Sequence, residues 1–112
     1  MAVISYYLFP DHAILDPSLI MTLPASVAAA CGIDAFIHAE EAYVSKMANP
    51  FTDAMAEKAM ELIGGNIRRF IASRDDEEAA CAMMLGSTRS NMVRRAYMTQ
   101  PGKPNTGRMS SV

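Results

Sequence analysis

The 112-residue chain has no tryptophan, and aromatic residues make up only 7% of it. Strands favour aromatic and β-branched side chains, so a β-sandwich core is disfavoured. The ten methionines and the many alanines, leucines and isoleucines suit packed helices instead. Cysteine is nearly absent too. Cys31 and Cys81 lie in alanine-rich surroundings, and a disulfide scaffold of this size would carry more cysteines. Buried free thiols in a reducing cytoplasm are the expectation. No apolar run reaches the ~18 residues of a membrane span, and Ala2–Leu8 lacks the basic start and small-residue cleavage pattern of a secretory signal. The chain is expected to be cytoplasmic, with no membrane partner.

Acidic residues are missing from residues 89–112, which hold five bases (Arg89, Arg94, Arg95, Lys103 and Arg108) and so a net charge of +5. Residues 1–88 hold five bases against twelve acids, a net of −7. Hydrophobic periodicity also fades after Gly86. Residues 89–112 therefore read as a basic, irregular tail, the pattern an out-of-frame translation would leave. A nucleic-acid contact through that tail is a weak alternative, because five bases with one tyrosine usually form a solvated coil.

What remains is a short helical domain. Ala2–Phe9 and Ala13–Leu15 are rich in valine, isoleucine, leucine and tyrosine and read as one or two short strands. Two such strands make no stable sheet alone, so residues 1–23 read as a strand remnant and linker. A helix is expected from Pro24 to about Met47, apolar nearly all round and therefore interior. A second begins at Asn49-Pro50, with asparagine as cap and proline in the first turn. Its apolar stripe runs through Met55, Ala59, Leu62, Ile63, Ile67, Phe70 and Ile71. Asp75 to Glu78 place negative charge at the start of a third helix, where the helix dipole favours it. The fold class is mainly α, with residues 24–88 as its helical body.

Asp34 and His38 stand four residues apart on the first helix, so they share one face, about 6 Å apart at Cβ. A carboxylate and an imidazole so placed can bind one divalent cation together. Glu41 shares the face and could act as an outer partner or third ligand. A hydrogen-bonded Asp–His pair without metal is the plainer alternative. The apolar setting favours a cation, since a buried carboxylate needs a neutralising partner.

The residues around the pair carry more than their spacing. Ala13-Ile-Leu-Asp-Pro-Ser-Leu-Ile-Met-Thr-Leu-Pro24, then Ala29-Ala-Cys-Gly-Ile-Asp-Ala-Phe-Ile-His-Ala-Glu-Glu-Ala-Tyr-Val-Ser45, closely resemble the iron-containing alcohol dehydrogenases. Asn49-Pro-Phe-Thr-Asp-Ala54 resembles the family's continuation, and the resemblance covers about residues 10–86. It implies a fragment from the start of that family's helical C-terminal domain, with Asp34 and His38 at the first two metal-ligand positions. It further implies Fe2+ or Zn2+, an NAD(P) cofactor, and a small alcohol or aldehyde as substrate. Cys31 stands where the family has threonine, and Glu40 where it has an apolar residue. No glycine-rich phosphate loop is visible, and His12 and His38 are the chain's two histidines, so the family's later histidine ligands are missing. The chain is therefore expected to be inactive alone. An interaction module that needs a partner chain, or a homo-oligomer, is the alternative.

Overall fold

The computed structural model describes residues 6–8 and 10–98. After a single 3-10 turn at Tyr6–Leu8, four helices follow: α1 (Ser18–Met21), α2 (Ala25–Tyr43), α3 (Pro50–Ala72) and α4 (Glu77–Met98). Each of the three long helices packs against the other two, and α1 touches α4. The fold is mainly α, as the composition implies.

One spacing explains the bundle. The buried positions of α2 are Ala28, Gly32, Ala35, Ala39 and Ala42, separated by four and three residues alternately. On α3, Thr52, Ala56, Ala59 and Ile63 keep the same rhythm, and Phe70 extends it. On α4 it runs through Ala79, Met83, Gly86, Ser90 and Val93. A four-three alternation holds one stripe of each helix toward its neighbours. Small side chains dominate the stripes, so the backbones approach closely. A Cβ on Gly86 would lie 2.6 Å from Ile63 Cγ1 and 3.3 Å from the Ala59 carbonyl oxygen. The few large buried groups, Ile63, Phe70, Met83 and Val93, fill the space between these contacts.

Local chemistry sets the helix ends. Asn49 Oδ1 accepts from the Phe51 and Thr52 backbone N–H groups at 3.0 Å each. Thr52 Oγ1 accepts the Asn49 N–H at 2.9 Å. This reciprocal capping box, with Pro50 at the first turn, satisfies donors that a helix start otherwise leaves open. Helix α2 stops at Tyr43, short of the expected Met47. The Ser45 hydroxyl accepts the Met47 N–H at 3.2 Å and offers the backbone an alternative to another helical turn.

The turn between α3 and α4 is closed by charge. Arg69 reaches Asp76 at 2.9 Å and Glu78 at 3.1 Å. Asp76 Oδ1 accepts the Ala79 N–H at 3.0 Å, capping α4. That backbone donor, with the Arg69 guanidinium behind it, holds the Asp76 carboxyl below the usual aspartate range. A depressed folded pKa means a contribution present at neutral pH and lost as pH falls through the carboxylate range below about 4. Asp76→Asn keeps an acceptor at the cap but no longer titrates. Thermal melts between pH 7 and pH 3 should therefore fall less steeply for this variant than for the parent chain.

Three expectations need correction. Ala13–Leu15 has no regular structure, Tyr6–Leu8 is a 3-10 turn, and no strand occurs among the described residues. A strand needs a neighbour for its backbone groups, and none of the described segments supplies one; residues 1–5 and 9 lie outside the described residues. The expected irregular segment from residue 89 is also different. Helix α4 runs unbroken through residues 89–98, with Ser90 and Val93 buried and Arg94 on the solvent side. The stripe continues there through Ser90, which a hydropathy pattern does not register, to Val93. Residues 99–112 lie outside the described set. Lastly, α2 is not interior on all sides. Its far face exposes Val27, Ile33 and Ile37.

Candidate metal-ligating pair

The local sequence that places Asp34 and His38 is helix α2 itself. Ala35 and Ala39, their immediate neighbours, are buried against the bundle and hold the rotation of the helix. Ser90 of α4 adds a cross-link, its hydroxyl donating to the Ala35 carbonyl at 2.7 Å in a fully buried position. Sequence reasoning missed Ser90 because a serine between Arg89 and Asn91 looks like surface. Its four-three spacing from Gly86 and Met83 was the available signal.

His38 Nδ1 and Asp34 Oδ2 stand 3.6 Å apart, on side chains 20% and 70% exposed respectively. The separation is long for a hydrogen bond. It is close to the ~3.4 Å edge that two ligands about 2.1 Å from one tetrahedral cation would span. The donor set, one carboxylate oxygen and one imidazole nitrogen, suits Fe2+ or Zn2+. In this respect the residues present fit the metal.

Asp34 is not the carboxylate buried in an apolar helix that the sequence suggests, so burial supplies no need for a cation there. Asp34 faces solvent, because the described residues cover only the opposite side of α2. Glu41 is exposed and joins no cluster: among the described residues, no three His, Cys, Asp or Glu side chains converge as a metal site. The pair supplies two ligands, where a closed structural or catalytic site takes three or four protein groups. His12 is exposed in the segment before α1 and forms no part of such a cluster. Both cysteines are free, but neither is buried as expected: Cys31 is exposed and Cys81 half-buried. No helix among the described residues is long and apolar enough to cross a membrane.

The model of the Fe-containing alcohol dehydrogenase family, C-terminal, matches residues 28–99. The chain belongs to this family. Sulfoacetaldehyde reductase of Bilophila wadsworthia is 42% identical over 90 residues, 80% of this chain and 23% of the reductase. Alcohol dehydrogenase 4 of Schizosaccharomyces pombe is 41% identical over 102 residues, 88% of this chain and 24% of that protein. 1,3-Propanediol dehydrogenase of Klebsiella pneumoniae is 41% identical over 91 residues, 81% of this chain and 24% of the enzyme. The chain thus spans about a quarter of the length of these relatives. No solved structure matches significantly. The family match extends through the arginine-bearing part of α4, in agreement with the unbroken helix there.

Proposed function

We propose that this chain forms the first metal-ligating part of an enzyme that transfers hydride between NAD(P) and a small alcohol or aldehyde. Asp34 and His38 would hold two positions of the cation. The observation that carries this reading is the 3.6 Å separation of their donor atoms on one face of α2, in a chain of this family. A bound Fe2+ or Zn2+ would polarise the alcohol or aldehyde oxygen as a Lewis acid. The chain's own contribution is orientation. Buried Ala35 and Ala39, with the Ser90 bond to Ala35, keep both donors on the same side of a rigid helix.

With two ligands and no glycine-rich phosphate loop in its sequence, the chain alone should show no dehydrogenase turnover. The uncovered Val27, Ile33 and Ile37 beside the pair favour a second body of polypeptide there. That body would be the rest of a longer protein or a partner chain, and it would supply the cofactor site and remaining ligands.

Cobalt or zinc titration of the full chain tests the pair directly. Asp34→Ala and His38→Ala should each weaken binding at least tenfold, because either change leaves one protein ligand. Glu41→Gln should leave it within about twofold. Unchanged affinity in the Asp34→Ala, His38→Ala double variant would refute the assignment.

A further inference from the structure

Away from the Asp34–His38 pair, the bundle contains a half-open cavity of about 160 Å³ between α1, α2, the end of α3 and α4. Ile20, Phe70 and Met83 form its walls, and Ala28 of α2 is too small to fill it. No charged side chain lines it, and nearly all of its surface is apolar. Cys31 and Ser87 are among the residues that line it, and Cys31 is exposed.

We propose that this cavity binds a hydrocarbon unit of about six carbons, either as a free molecule or as the tail of a primary alcohol. The size follows from volume: an apolar cavity of about 150 Å³ takes up benzene, and this one offers similar room. The chemistry follows from the walls, which offer a charged ligand nothing to offset its lost hydration. Met83 adapts the fit, since the thioether chain repacks at low cost. Cys31, one of the lining residues, precedes Asp34 by three residues, about one helical turn. The site is independent of the metal pair and stands whether or not the chain ever takes part in hydride transfer.

Cys31 makes the test possible without an added probe. The rate of its alkylation by iodoacetamide is followed by peptide mass spectrometry, with Cys81 of the same molecule as reference. Ethanol, 1-butanol, 1-hexanol and 1-decanol are titrated in turn, and benzene separately. A ligand in the cavity covers Cys31 and not Cys81. Half-protection of Cys31 should need about fourfold less alcohol for each added methylene, the effect of burying one CH₂, and should gain little beyond six carbons. Benzene protecting as well as hexanol identifies a free hydrocarbon as sufficient, and hexanol protecting far better identifies an alcohol tail. Ser87→Leu, placing a larger apolar group in the lining, should weaken hexanol protection at least tenfold with helicity retained. The alcohol series on the unaltered chain decides the matter even if that variant fails to fold. Protection without dependence on chain length, equal protection of both cysteines, or no protection by any of the ligands would overturn the proposal.

Discussion

Gly86→Val should lower the stability of this bundle by about 3 kcal/mol, the upper part of the range for overpacking a filled core. A Cβ at position 86 already falls 2.6 Å from Ile63 Cγ1, closer than real Cβ atoms come to other heavy atoms. Ile63 is 1% exposed and has little room to yield, and the Ala59 carbonyl behind it belongs to the α3 backbone. The axes of α3 and α4 would have to separate, and the small-residue contacts along both stripes would loosen with them. Gly65→Ala is the matched control. No atom lies within 4 Å of a Cβ built there, and the residue is mid-helix. It should stabilise by about 0.5–1 kcal/mol through helix propensity alone. For a domain of this size, 1 kcal/mol moves the melting temperature by roughly 4–8 °C. Circular dichroism melts should therefore separate the two variants by well over 10 °C, in opposite directions from the parent. Similar melting of both would mean that α3 and α4 are not in close contact at Gly86.

Phe70→Ala is expected to be as damaging, at about 3–5 kcal/mol. The ring is 2% exposed and belongs to the core cluster that joins α2, α3 and α4. It also supports Arg74, whose guanidinium lies over the ring at 5.4 Å from its centroid and hydrogen-bonds the Leu23 carbonyl. Losing the ring removes core volume and the platform that ties the end of α3 to the chain entering α2. Small domains hold only about 5–15 kcal/mol in total, so the variant should be largely unfolded well below the melting point of the parent. Arg74→Ala removes the cation and keeps the ring, and should cost about 1 kcal/mol or a little more. Urea titration followed by helicity checks the order. An Arg74→Ala loss equal to that of Phe70→Ala would place the energy in the hydrogen bond rather than in the buried ring.

Much of this molecule was legible in its residues, and the legible parts are local. Asn49, Pro50 and Thr52 specify a helix start through bonds among neighbours, so the beginning of α3 could be read directly. Asp34 and His38 share a face because helical geometry places residues four apart on one side, and the surrounding motif identified the family that the C-terminal family model matches. What could not be read depends on what lies across from each residue. Ala13–Leu15 has strand-like composition but no strand beside it among the described residues. Ser90 and Gly86 lack hydrophobic side chains, yet they are buried because their smallness lets α4 approach α2 and α3. The exposure of Asp34 and the bare Ile33 and Ile37 follow from which side of α2 the other helices occupy, and no periodicity in an apolar helix specifies that side. The sequence alone determined that three long helices form, how α3 begins, and that Asp34 and His38 share one face. Only the tertiary structure decided which faces are covered, because burial depends on contacts between residues far apart in the chain.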